Sequence, residues 1–151
     1  MITIAFTFTS KDIDYVVLTG TRLIPSLKSK GKILLPTNYD IPQTVVWFET
    51  ELELLINNIQ PNKVVYKLTI NNVKNIYVSN VYYGQGILNL ICGKKGISIS
   101  HISPVSIKPS KFNQPKETKL HDYLESLIGK HSSPWDKGIK DTSLIALSSL
   151  E

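Results

Sequence analysis

Residues 2 to 9 alternate Ile2, Ile4, Phe6 and Phe8 with Thr3, Ala5, Thr7 and Thr9. A period of two in β-branched and aromatic residues predicts a strand. Ser10-Lys11-Asp12 supplies a turn, and Ile13 to Thr19 predicts a second strand, the hairpin partner of the first. A third, short strand is expected at Lys32 to Leu35, after a basic loop and before Pro36-Thr37-Asn38. The period then changes. Val45, Phe48, Leu52, Leu55, Ile56 and Ile59 fall at helical spacing, with Glu49, Glu51 and Glu53 on the other face and Pro42 where a first turn tolerates it. Lys63 to Thr69 is short and apolar, the signature of a buried parallel strand.

A loop through Asn71, Asn72 and Asn75 leads to a helix expected from about Ser79 to Lys95, with Val81, Leu88, Ile91 and Cys92 on one face. Gly84 and Gly86 weaken that helix by about 1 kcal/mol each against alanine, which points to close packing on the sheet. Gly96 supplies a left-handed stop. Ile97 to Ile102 alternates again and predicts a strand. Leu120, Tyr123, Leu124, Leu127 and Ile128 form a helical stripe closed by Gly129, and a last helix is expected from about Gly138 to Leu150. The order is β-β-β-α-β-α-β-α-α. An antiparallel meander followed by helix–strand alternation gives a mixed five-stranded sheet flanked by helices, its second half parallel through right-handed crossovers.

Composition narrows the class. The 151 residues suit a single domain, with 42% apolar and 19% charged residues. One cysteine excludes a disulfide framework and a multi-thiolate zinc site. No apolar run approaches the roughly 18 residues of a membrane span, and no basic segment precedes the N-terminal apolar residues, so a cytoplasmic protein without a membrane partner is expected. Lys and Arg total 17 against 12 acids, a net charge of +5. The surplus is uneven. Arg22, Lys28, Lys30 and Lys32 lie in a stretch without an acid, and Lys94, Lys95, Lys108, Lys111, Lys116 and Lys119 are relieved only by Glu117. Clustered lysine suits a phosphate-binding face, although the charge is also ordinary for a soluble surface.

The element order resembles the RNase H-like fold, and the last two-thirds resemble its RuvC-like branch. Four pieces carry the resemblance: Val64-Val65-Tyr66-Lys67 at the fourth strand, Tyr83 to Leu88 with Gly93 to Ile97 around the second helix, Ile102 to Lys108 at the fifth strand's end, and Asp141 to Leu147 on the closing helix. The chain also resembles small RNase H-like bacterial and phage proteins that lack the catalytic acids. The branch's chemistry uses two divalent metals about 3.5–4 Å apart. Its acids lie in mid-strand one, at the end of strand four, and as a pair on the last helix. Here those positions fall near Phe6 or Thr7, at Tyr66 with Lys67 beside it, and at Gly138 and Asp141. Only Asp141 is an acid. The resemblance therefore implies no two-metal site, no metal cofactor and no catalytic residue.

Other acids offer little to rebuild such a site. Asp12 and Asp14 lie beyond the hairpin turn, Asp40 precedes a helix, and Asp136 is out of phase with Asp141. An acid in the first turn of a helix is also explained by the helix dipole, which serves for Asp141. His101, His121 and His131 are far apart and show no acidic-partner pattern. Cys92 reads as a core thiol. Trp47 and Phe48 are adjacent, so one of them is expected to be exposed. Tyr66, Tyr77, Tyr82, Tyr83 and Trp135 interleave with Lys67, Lys94, Lys95 and Lys108, a pattern able to stack bases and hold phosphates, or simply to pack the sheet. Three function classes follow. The first is a catalytically degenerate domain that serves as a binding or scaffold subunit for a protein partner or for its own copy. The second is a nucleic-acid-binding module using Lys67, Lys94, Lys95, Lys108 and Lys111. The third is a metal-dependent nuclease with a rearranged site.

Overall fold

The computed structural model describes residues 1–69 and 79–151. Asn71, Asn72, Asn75 and Tyr77 lie outside the described residues. β1 (Ile2–Phe8) pairs antiparallel with β2 (Asp12–Gly20), which places Phe6 opposite Tyr15 and Thr7 opposite Asp14. β4 (Lys63–Lys67) runs parallel to β1, and β5 (Ser98–Ile102) runs parallel to β4. The sheet order is β3-β2-β1-β4-β5.

β3 corrects the sequence reading. It spans Pro25–Leu34, so the stretch expected to be a basic loop is most of an edge strand. Its middle, Lys28 to Lys32, is Lys, Ser and Gly rather than alternating apolar residues, which hides it from a hydrophobic pattern. Lysines on an edge strand discourage pairing with another chain, a sound reason for that composition. A register shift between Val17 and Leu18 leaves Lys30 opposite Val16 and Lys32 opposite Asp14.

Helices cover both faces. α1 (Ile41–Ile59) starts earlier than Val45 because Asp40 and Gln43 form a reciprocal capping box, with Pro42 in the first turn. α1 and α2 (Ser79–Lys95) pack on one face around Phe6, Phe8, Phe48, Leu52 and Leu88. α3 (Leu120–Ile128) and α4 (Lys137–Ser149) pack on the other around Ala5, Val16, Val65, Leu124 and Ile139. Two short 3₁₀ turns, Pro104–Ser106 and Pro109–Phe112, join β5 to α3. Phe48 is buried, and Trp47 is half-buried against its ring edge at 5.1 Å, so the adjacent pair packs together and Val46 is the exposed neighbour. Among the described residues no helix is long and apolar enough to cross a membrane. Burial pushes the Cys92 thiol up to about 11, which fits an inert core side chain.

The two α2 glycines have opposite roles. A Cβ on Gly84 would come 2.5 Å from the Phe8 ring and 3.1 Å from Phe48, whereas one on Gly86 meets nothing within 4 Å. Close packing on the sheet therefore explains Gly84 alone. Gly84→Ala is expected to destabilise the fold by about 1–3 kcal/mol through overpacking. Gly86→Ala is expected to stabilise it by roughly 0.5–1 kcal/mol through helix propensity. Denaturant unfolding of both variants checks the pair, and equal effects of one sign would contradict it.

Candidate nucleic-acid interface

The period of the strands decides which side chains reach α4. Ala5 and Val65 pack in the α3/α4 layer, so Thr7 and Lys67, two residues on, face the same side. Phe6 and Tyr66 belong to the opposite layer. The strand-one and strand-four positions left open by sequence are thus Thr7 and Lys67. Pairing aligns Lys32 with Asp14 and Asp14 with Thr7, and Lys67 directly follows Tyr66, the partner of Phe6. A polar row, Lys32–Asp14–Thr7–Lys67, therefore crosses four strands at the C-terminal ends of β1 and β4. The first half of α4 lies over it, with the Thr7 and Thr142 hydroxyls 2.8 Å apart.

On the β3 side, three residues form a charge triad. Lys32 Nζ donates to Asp14 Oδ1 at 2.8 Å and lies 3.1 Å from Asp136 Oδ2. Asp136 is also the N-cap of α4, accepting from the Ile139 backbone N–H. That backbone bond is the main cause holding its carboxyl below the usual range, and Lys32 adds to it. Burial raises the Asp14 carboxyl against the pull of Lys32, since Asp14 is only 2% exposed. Burial opposes the charge on Lys32, but its bonds to Asp14 and Asp136 win, and its ammonium is held above the ordinary lysine range. A Cβ on Gly138 would stand 2.5 Å from Asp14 Oδ2, so Asp14 occupies space that a side chain on α4 would need. Asp14 is thus in the site, one strand over from the position the resemblance implies. The sequence reading set it aside because distance along the chain hid its register with Thr7.

On the β4 side the row opens into a cleft of about 490 Å³. Lys67 and Asp141 line it, together with the turn after β5 and the start of α3. His121 Nε2 and Asp141 Oδ1 are 2.7 Å apart. His121 therefore has an acidic partner that no sequence pattern shows. The helix-dipole explanation of Asp141 does not hold, because α4 begins at Lys137 and carries no acid in its first turn. Lys67 and Lys119 make no ion pair among the described residues.

The other predicted binding residues divide. Lys108 and Lys111 are exposed on the 3₁₀ segment that follows the cleft-lining Ile107. Lys94 and Lys95 end α2 just before β5 begins, at the opposite end of the parallel strands from Lys67, and Lys95 lies 3.7 Å from Glu53. The five lysines are therefore not one patch. Tyr66 is buried under α2, where its hydroxyl accepts from Asn89, and Trp135 donates to Glu125 beside Lys30. Neither ring lines the cleft.

The site does not fit two divalent ions. Such ions need several converging oxygen donors. Here Thr7 gives a hydroxyl bonded to Thr142, Lys67 gives a cation, and Gly138 gives nothing. Among the described residues no group of three or more His, Cys, Asp or Glu is placed to share a metal ion. Where two carboxylates do converge, Asp14 and Asp136, a lysine ammonium already lies between them.

The mixed sheet in this order, with a helical layer on each face, is the RNase H-like α/β fold. Within that fold its structural likeness is to RuvC-type structures. The chain superposes on Thermus thermophilus RuvC, solved in complex with a Holliday junction substrate, with a TM-score of 0.80 over 98% of this chain and 91% of that one, at 13% identity. It is similar to the yeast mitochondrial Holliday junction resolvase Ydc2, with a TM-score of 0.66 over 97% and 76% of the two chains, at 10% identity. The Fowlpox virus resolvase, solved with substrate Holliday junction DNA, gives 0.59 over 98% and 97%, at 14% identity. No protein-family model matches the sequence, and no curated protein matches it.

Proposed function

We propose that this domain holds nucleic acid without cutting it, a catalytically degenerate RuvC-like fold used for binding. The observation that carries the reading is Lys67. It stands at the end of β4, level with a neutral Thr7, and it lines a cleft that Lys119 also lines. A cation there suits a phosphate and repels a metal ion. Lys108 and Lys111 extend positive charge along the segment leading away from the cleft. The solved RuvC and Fowlpox complexes hold DNA junctions, which makes nucleic acid a reasonable ligand class for a cleft on the same fold. Fluorescence anisotropy with single-stranded, duplex and branched probes over a salt series tests it. Affinity that falls steeply with salt is expected. No binding at low salt would overturn the reading.

A second reading, assembly with a protein partner or a second copy, has its own support. Between α1 and α2 a shallow apolar depression is lined by Val45, Tyr82, Tyr83, Gly86, Ile87 and Leu90, with Tyr82 and Leu90 exposed. Sedimentation of the wild type and of Leu90→Glu separates a self-associating chain from a monomer.

A further inference from the structure

The cleft beside Lys67 is built for more than a phosphate. Lys67 and Lys119 bring positive charge to its polar side, which also holds the Asp122 carboxylate and the paired His121 and Asp141. Ile107, Leu120 and Ile145 give it an apolar side. Its volume, about 490 Å³, lies within the roughly 300–1,000 Å³ of small-ligand sites. A backbone phosphate alone would satisfy the lysines and leave the apolar wall wet. A ligand with an anionic group joined to a flat, largely apolar body satisfies both sides, and a nucleotide is such a ligand. In a perfect duplex the base is stacked inside and cannot enter. Asp122 also lines the cleft, and an ionised carboxylate only accepts hydrogen bonds, as the amino and ring N–H groups of a base require.

Resting on the nucleic-acid reading above, we propose that the cleft receives one unpaired nucleotide. Its phosphate lies on Lys67 and Lys119, and its base lies against Ile107 and Leu120. The lysines supply affinity for any strand, and the apolar wall supplies a preference for bulges, flaps and ends over continuous duplex.

Three probes test this by anisotropy: a short duplex with one bulged nucleotide, the same duplex with an abasic sugar-phosphate at the bulge, and the perfect duplex. The base-bearing bulge is expected to bind about tenfold more tightly than the abasic one, equivalent to about 1.4 kcal/mol. Leu120→Gln is expected to bring that ratio close to one. Ile107→Ser, on the segment outside the helices, gives the same readout if Leu120→Gln does not fold. Equal affinity of the two bulges for the wild type would overturn the proposal while nucleic-acid binding itself stands. Failure of all three probes at low salt would instead overturn the binding reading and this proposal with it.

Discussion

Lys32→Met is expected to lower the thermal midpoint by about 6–9 °C. The substitution removes the partner of a carboxylate that is 2% exposed, and among the described residues Asp14 has no other cation within ion-pair distance. Breaking a fully buried pair in this way costs about 3–5 kcal/mol. The Lys32 side chain is 26% exposed, so water screens part of the loss, and about 2–3 kcal/mol is the better figure. For a domain this size each kcal/mol moves the midpoint by roughly 3 °C. The pH dependence follows from the same groups. Lys32 is held above its ordinary value of 10.5, so its stabilisation is complete below that pH and is lost as pH rises through the folded value. In Lys32→Met the Asp14 carboxyl, already raised by burial, loses the interaction that lowered it. A raised acid favours the fold only when protonated, so the variant is expected to lose stability as pH climbs from 3.8, and to lie closest to the wild type in acid. The double variant Asp14→Asn/Lys32→Met is expected to recover most of the loss. Thermal melts across pH check this, and a single-variant drop below about 2 °C at neutral pH would show the triad to be dispensable.

The second large effect concerns binding. Lys67→Glu is expected to weaken nucleic-acid affinity by roughly tenfold to a hundredfold, because it removes one phosphate contact and adds a like charge. The slope of log affinity against log salt is expected to fall by about one, the loss of a single ionic contact. Lys94→Glu is the matched control. It makes the same change of charge at the opposite end of the sheet, and it is expected to alter affinity by less than about twofold at physiological salt, where the Debye length is about 8 Å. Equal losses in the two variants would mean that overall charge, not the cleft, governs binding.

Much of this architecture is legible in the residues. The alternation of Ile2 to Phe8, the helical stripe before Ile59 and the short apolar strand at Val64 announce the elements and their parallel half. β3 is not legible, because an edge strand protected by lysines and serines has no apolar alternation to read. The cleft's Lys67 and Asp141 are found through the resemblance. The Asp14–Lys32–Asp136 triad is missed because its members come from two neighbouring strands and a helix cap far apart in sequence. One signal for it was available. A strict hairpin register from the Ser10-Lys11-Asp12 turn carries Asp14 to the level of Thr7 on the next strand. The His121–Asp141 contact joins α3 to α4, and only their packing reveals it. Local periodicity carries no information on that packing.

The most direct test is binding and probe integrity measured together, in Mg²⁺ or Mn²⁺ and again in EDTA, on a branched DNA. A site whose Asp14 and Asp136 carboxylates are bound by Lys32 and whose β4 position is Lys67 predicts binding that needs no divalent ion and an intact probe in both buffers. Cleavage that appears with the divalent ion and disappears with EDTA would contradict it and show that this row of residues still assembles a metal site.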